Sequence, residues 1–442
     1  RRKITINQLS IMFLGLNNII LAFILSFVLL CVVSFLAVSF GPQSLYFNVV
    51  FYSLGKLFGL LSFLFLSMLI ISGDTARFLD RFFGMDKIIK FQRKFATITF
   101  VFVIMHPIFF MAANRSVFNF LLPSLLYIPL SFGIISFYIF IVVGIASKIY
   151  KKISYNLWQY IHILTYFLFF FVLYHAVSFG SDYKYFSIKI IYGLLLFLIL
   201  IGIIYRAWYK IKNRGFVFVV KEIKWETKDS YTLTLSSNKK LYFKAGQFCF
   251  LRINKEKLYA RHPFTISSAP DENNISFIIK LKGRFTKIAS ELKAGERIVA
   301  EGPFGVFDIE DKNKNLVFIA GGVGIAPFMS MIKNRLNNTS SHQNIFLLYG
   351  AKTKDDLIFK KELDAIERGW FKKIYVLSNE DPFGELCERG YIDKKIIEKY
   401  VKNIENSLFY ICGPEPMKEL CINSLFLLGI KKSNIFIESF FW

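Results

Sequence analysis

Arg261-His262-Pro263-Phe264-Thr265-Ile266-Ser267-Ser268 lies just past the middle of the chain, between a very apolar first half and a second half rich in Lys and Glu. It follows Gly246-Gln247-Phe248-Cys249-Phe250-Leu251-Arg252-Ile253, where large apolar residues alternating with smaller or polar ones predict a strand. A cationic or donor side chain, a proline-stiffened backbone, an aromatic ring and then hydroxyls suit a flavin nucleotide. The first can meet a pyrophosphate, the ring can lie on an isoalloxazine, and a hydroxyl can reach a ring nitrogen. Taken alone, the same residues also describe a buried edge strand stopped by proline, so the decision rests on their surroundings.

Around this stretch, residues 216–220 and 231–235 read as strands of an antiparallel barrel, with Ile275–Lys280 as a further strand. Gly283-Arg284-Phe285-Thr286 reads as a turn glycine before a helix at 286–292, and Gly302-Pro303-Phe304-Gly305 as a tight turn closing the barrel. Leu316-Val317-Phe318-Ile319-Ala320 is a continuous apolar run of the kind a buried parallel strand needs. It feeds into Gly321-Gly322-Val323-Gly324-Ile325-Ala326-Pro327-Phe328, where glycines let the backbone approach a pyrophosphate at a helix start and Pro327 suits the first helical turn. Strands at 345–349, 373–377 and 407–411 continue an α/β pattern, the last ending in Cys412-Gly413-Pro414-Glu415-Pro416-Met417.

The first half differs in kind. The 442-residue chain is 54% hydrophobic, and residues 1–210 hold the long uncharged runs. Six spans near the ~20 residues a hydrocarbon core requires fall at 11–38, 49–73, 94–113, 121–147, 156–179 and 185–208. The net charge of +24 comes from basic residues clustered beside these spans, which argues for anionic lipid and against nucleic acid. Arg77, Arg81, Lys87, Lys90, Arg93 and Lys94 join spans 2 and 3, and Lys148, Lys151 and Lys152 join spans 4 and 5. The opposite connections carry little charge, so the second half is expected on the cytoplasmic side. The five cysteines form no metal spacing and fit a reducing compartment, and no cleavable signal peptide is evident. Of five histidines, three lie within spans: His106 on the third, His162 and His175 on the fifth. Imidazoles at membrane depth are costly unless paired or ligating. His162 and His175 are 13 residues apart, about 20 Å along a helix, too far for one metal ion and suited to two stacked haems. Their angular offset on an ideal helix predicts a bulge or kink between them.

Six spans with histidines on the third and fifth, followed by the 261–268, 321–328 and 412–417 motifs in that order, resemble the ferric reductase and NADPH oxidase superfamily, in particular its bacterial members. The resemblance implies a membrane all-α six-helix haem bundle over 1–213, an FAD-binding antiparallel β-barrel over 214–310 and an α/β NAD(P)-binding domain over 311–442. In that family two helices each carry two histidines and hold two b-type haems. Here span 5 matches with His162 and His175, while span 3 matches at His106 and has Gln92 in place of the fourth ligand. An amide is a poorer iron ligand than imidazole. One or two haems are therefore implied: a six-coordinate outer one between His106 and His175, and an inner one at His162 expected to be occupied but labile.

Carried over to this chain, the resemblance puts His262 at the FAD pyrophosphate, with Arg261 as an additional phosphate ligand. Pro263 and Phe264 would lie under the flavin, Thr265 near its N5, and Thr286 on the far side of the pyrophosphate. Ser267, Ser268, Lys280 and Gly283 complete the flavin set. Gly321, Gly322, Gly324 and Pro327 would cradle NAD(P)H, Lys352 and Ser378 would read its ribose, and Cys412, Gly413 and Pro414 would border the nicotinamide. NADH and NADPH stay open, because no arginine occupies 379. Phe440, within Glu438-Ser439-Phe440, would stack on the flavin, with Trp442 as the alternative; Thr265, Cys412, Phe440 and Trp442 form the implied catalytic set. The implied activity is transfer of electrons from cytosolic NAD(P)H through FAD and haem across a bacterial plasma membrane to oxygen, giving superoxide, or to a ferric chelate. No obligatory protein partner is evident. Rival readings are a transporter with a nucleotide-sensing domain and an anchor that passes electrons to a partner protein.

Overall fold

The computed structural model describes residues 47–114, 117–150, 152–212, 215–237, 240–253, 261–309, 314–338 and 343–438. The span expected at 11–38, and Phe440 and Trp442 at the other end, lie outside the described residues. The chain divides into two compact units: one takes residues up to Ala76 with Ile89–Trp208, the other Arg77–Ile88 with Tyr209–Trp442.

In the first unit, helices α1 (Phe47–Asp74), α3 (Met85–Asn114), α4 (Ile128–Lys148), α5 (Tyr155–Phe179) and α6 (Phe186–Lys212) are long and apolar enough to cross a membrane. The short α2 (Ala76–Phe83) intervenes. Five such helices stand among the described residues, where six were expected over the whole chain. Phe63 and Leu64 of α1 pack with Leu168 and Phe169 of α5 and Leu195 and Ile199 of α6 to form the bundle core. Phe167, Phe197 and Ile204 face outward and exposed, so the helices are apolar on both faces and need hydrocarbon around them. At one level Asp74 is almost fully buried, accepting a 2.5 Å bond from the Tyr166 hydroxyl and a 3.0 Å bond from Arg206. Gly202 leaves room for this carboxylate: a Cβ there would lie 3.2 Å from that of Asp74.

The second unit holds two sheets. Strands β1 (Phe216–Thr227), β2 (Ser230–Ser236), β3 (Phe248–Arg252), β4 (His262–Thr265), β5 (Ile275–Lys280) and β6 (Arg297–Phe304) form an antiparallel sheet in the order β4-β3-β6-β1-β2-β5. A bridge between Ile266 and Phe277 joins its ends and closes the barrel. Pro263 sits in the short terminal strand β4, where a missing N–H is tolerated. The helix after Gly283 is α7 (Arg284–Ser290). Gly302-Pro303-Phe304, expected as a turn, instead ends β6, because Phe304 pairs with Phe248 across the sheet.

Strands β7 (Asn315–Gly321), β8 (Ile345–Ala351), β9 (Phe371–Leu377), β10 (Cys387–Arg389), β11 (Ser407–Cys412) and β12 (Ile435–Glu438) form a wholly parallel sheet in the order β10-β9-β8-β7-β11-β12. Helices α8 (Ala326–Asn337), α9 (Lys360–Asp364), α10 (Lys394–Tyr400) and α11 (Glu415–Leu427) complete the α/β pattern. From Leu316 to Gly321, β7 is buried at every residue, as its uninterrupted apolar run implies.

Residues 77–88 are built into the second unit. Met85 packs on Phe248, Phe250 and Phe304. The Gly305 N–H donates to Asp80 at 2.9 Å, and Arg77 pairs with Glu301 at 2.9 Å while lying over the Tyr209 ring. Replacing Asp80 with Ala strands the Gly305 donor and should cost about 1–3 kcal/mol. The flavin-fluorescence melting midpoint of the full chain should fall accordingly, and an unchanged midpoint would show that residues 77–88 add nothing to the barrel.

Candidate functional site

Within the helical unit, His106 and His175 face one another, with ring centroids 6.3 Å apart and planes at 81°. Each ring is fixed from behind: His106 Nδ1 bonds the Gly55 carbonyl at 2.8 Å, and His175 Nδ1 bonds that of Pro129 at 2.9 Å. A carbonyl at Nδ1 makes that nitrogen the donor and leaves Nε2 as a lone-pair ligand. Two glycines clear the space, since a Cβ at Gly59 would lie 2.7 Å from His106 and one at Gly133 2.8 Å from His175. Two imidazoles each about 2 Å from one metal ion, a usual nitrogen–metal length, put their centroids roughly 6 Å apart. The pair therefore fits a bis-imidazole iron.

His162 and Gln92 are arranged otherwise. His162 lies against Trp158, with centroids 4.1 Å apart, and its Nε2 is 3.5 Å from the Ser147 hydroxyl on α4. Its buried Nδ1 has the Trp158 carbonyl, one turn back on the same helix, as its only neighbouring acceptor and makes no well-aligned bond to it. The Gln92 amide reaches Ser72 on α1 at 3.4 Å. No break or π-turn separates His162 from His175, as α5 runs as one α-helix from Tyr155 to Phe179.

Residues of the flavin-type motif lie on β4 and just beyond it. His262 stacks on Phe285 at 4.1 Å, and Phe264 stacks on the same ring at 5.7 Å, so α7 supports both. Burial lowers the His262 pKa from its ordinary value. Thr265, Ser267 and Ser268 are buried, and the Ser267 hydroxyl has no protein partner, which leaves a polar atom for a ligand. Three other candidates are engaged within the protein. Arg261 pairs with Glu301 at 3.1 Å, Lys280 with Asp229 at 2.9 Å, and the Thr286 hydroxyl receives the Lys282 and Gly283 N–H groups while donating to the Gly283 carbonyl. Gly283 has open space where a Cβ would be.

The dinucleotide-type residues converge on one edge. Chain order in the parallel sheet reverses between β7 and β11, whose carboxyl ends carry Gly321 and Cys412, while Lys352 and Ser378 follow the carboxyl ends of β8 and β9 further along the same edge. Such a crevice is where open α/β sheets bind nucleotides. Gly322 takes φ +54 with open space at its Cβ position, whereas Gly321 and Gly324 are small for packing. A Cβ on Gly324 would collide with the Cys412 carbonyl, and one on Gly321 would lie 2.6 Å from Met417 and 2.9 Å from Pro414; Gly413 packs equally tightly on Met417. The glycine turn and the Cys412-Gly413-Pro414 segment are thus fitted to each other, with Pro327 in the first turn of α8. Cys412 is fully buried, and burial, with Glu438 adding to it, raises its thiol pKa well above the usual range.

Three family models match this chain: Ferric reductase like transmembrane component over 58–173, FAD-binding domain over 216–308 and Oxidoreductase NAD-binding domain over 318–422. The chain belongs to the ferric reductase and NADPH oxidase superfamily. It is a multi-pass membrane protein and an NAD(P)H-dependent flavoprotein oxidoreductase. NADH-cytochrome b5 reductase 1 of Dictyostelium discoideum is 32% identical over 200 residues, 43% of this chain and 69% of that protein. One component of the Na(+)-translocating NADH-quinone reductase of Yersinia enterocolitica is 34% identical over 155 residues, 34% of this chain and 38% of that component. Among solved structures, the cytochrome b5 reductase domain of Ulva prolifera nitrate reductase aligns with 51% of this chain and 97% of its own, at 22% identity and a TM-score of 0.46.

Sequence patterns missed two residues that join these motifs. The Ser330 hydroxyl, on α8, donates to the Ser268 carbonyl at 2.6 Å and fastens the nucleotide helix to the flavin motif. The Tyr349 phenol, fully buried, donates to the Gly322 carbonyl at 3.2 Å and holds the glycine turn. Position 330, polar within the otherwise apolar and buried first half of α8, was the available signal; its partner 62 residues away was not. Gly324→Ala should abolish dinucleotide binding or folding, read as loss of NAD(P)H-dependent flavin reduction together with a lower melting midpoint. His262 carries a pH dependence. Its folded pKa lies below the unfolded 6.5, so the stability it contributes is present above pH 6.5 and is lost as pH falls toward the lowered value. In flavin-free protein, His262→Gln should flatten the fall in melting midpoint between about pH 7 and 5.

Proposed function

We propose that this protein carries electrons from NADH, through FAD, to a haem held by His106 and His175, and on to oxygen, yielding superoxide. The 6.3 Å imidazole pair carries this reading, because its Nε2 atoms are left free while both Nδ1 atoms are held by carbonyls. FAD would be held by His262, Phe264, Thr265 and Ser267, and NADH by the turn at Gly321–Gly324 with Cys412-Gly413-Pro414. When bound, FAD accepts a hydride from nicotinamide and releases electrons singly to iron, which takes one at a time. In this reading the protein's residues position and exclude. The Ser330–Ser268 bond keeps the two nucleotide motifs adjacent, and the Cys412 thiol stays protonated and acts through its backbone.

Two acids after β9 favour NADH over NADPH. Glu380 accepts the Lys354 N–H, and Asp381 pairs with Arg389 at 2.5 Å, which engages the arginine that would otherwise meet a 2′-phosphate. Both relatives named above are NADH reductases by name. Around the imidazole pair, Phe110 lies 5.1 Å from His106 and Phe179 5.8 Å from His175. An aromatic surround suits small neutral oxygen better than an anionic ferric chelate.

Purified protein supplied with NADH should show Soret and flavin bands and reduce cytochrome c in a way that superoxide dismutase abolishes. Dismutase-insensitive turnover with ferric citrate would make the acceptor a metal chelate instead. NADH should exceed NADPH in kcat/KM by about tenfold or more, and Asp381→Ala should narrow that gap by freeing Arg389.

A further inference from the structure

The position the family fills with a second haem is built differently in this chain. We infer that the protein binds a single haem, between His106 and His175, and that His162 holds no second one. The inference rests on the haem reading given above and concerns what the helices offer one level away.

His162 is set differently from the other two imidazoles. Their Nδ1 atoms are held by the Gly55 and Pro129 carbonyls of other helices, whereas His162 Nδ1 has only the Trp158 carbonyl one turn back on its own helix, outside good hydrogen-bond geometry. An iron-ligating imidazole nearly always donates its second nitrogen to such a partner, which fixes the ring and raises its basicity. Glycines at 59 and 133 lie against His106 and His175, while His162 is covered by the Trp158 ring. His106 and His175 face each other; His162 Nε2 instead faces Ser147 on α4. The residue offered in place of a partner, Gln92, is a weak ligand type and is turned to Ser72 on α1.

Helix geometry gives the reason. Thirteen residues carry a ring through roughly 220° beyond whole turns, so an unbroken helix cannot aim both histidines along one side. Since α5 has no bulge between them, aiming His175 at His106 turns His162 away.

Polar groups tie the helices together at this level. Tyr166, one turn beyond His162, donates to Asp74, two residues beyond Ser72, and Arg206 of α6 donates to both Asp74 and the Tyr166 oxygen. This knot links α1, α5 and α6 through a carboxylate and a guanidinium that neutralise each other.

The test uses the full chain, expressed with a haem precursor in excess and purified in mild detergent. Haem is measured as the pyridine haemochrome against protein by amino-acid analysis, with FAD measured alongside. One haem per chain is expected, with a single one-electron wave in a redox titration and unchanged haem content in His162→Ala. His106→Ala and His175→Ala should lose the haem while retaining FAD, which separates a lost ligand from a lost fold. A ratio near two, or a halved content in His162→Ala, overturns the single-haem inference and leaves the His106–His175 haem standing. Flavin-loaded protein with no haem at all overturns both.

Discussion

The hydroxyl of Ser330, on the helix that follows the glycine turn, donates to the carbonyl of Ser268, where the flavin-type motif ends. Hydride transfer needs donor and acceptor carbons within van der Waals reach, so two nucleotide sites on separate sheets are of use only when held in register. This bond is short and wholly buried, and there breaking it would leave an unpaired polar group in an apolar core. The glycine turn is fixed in the same way from its other side, by the Tyr349 phenol and by close packing on Cys412-Gly413. Local backbone shape and long-range packing here enforce the same arrangement.

In the helical unit the corresponding constraint is the demand of a buried imidazole for partners. His106 and His175 meet it at Nδ1 with carbonyls that their neighbours supply. Pro129 is one source: a proline in the first helical turn has no N–H to contribute, and its carbonyl is turned to His175. His162 does not meet that demand in the same way, and this difference separates two histidines that look equivalent along the sequence.

Much of this was legible beforehand, and what stayed hidden shares a cause. The apolar run at 316–320, its glycine turn and the Cys412-Gly413-Pro414 segment could be read because each is a local pattern with a local geometric meaning. Composition could not show that Glu301 engages Arg261, carried over as a phosphate ligand, or that Asp229 engages Lys280, carried over with the flavin set. Thr286 was carried over at the pyrophosphate, yet its hydroxyl serves the turn three residues back, a competition that short polar side chains near helix starts commonly win. The segment 77–88 read only as a basic loop between spans, since its partners Phe248, Glu301 and Gly305 lie far along the chain.

That segment also bears on how the polypeptide responds to being cut. Residues 77–88 leave and re-enter the helical unit at both ends, yet pack as part of the barrel. A protease that severed only the connection near residue 214 would leave the flavin-binding portion clipped to the membrane portion through this insert. Release into solution would require a second nick or the loss of the clasp formed by Arg77, Asp80 and Met85.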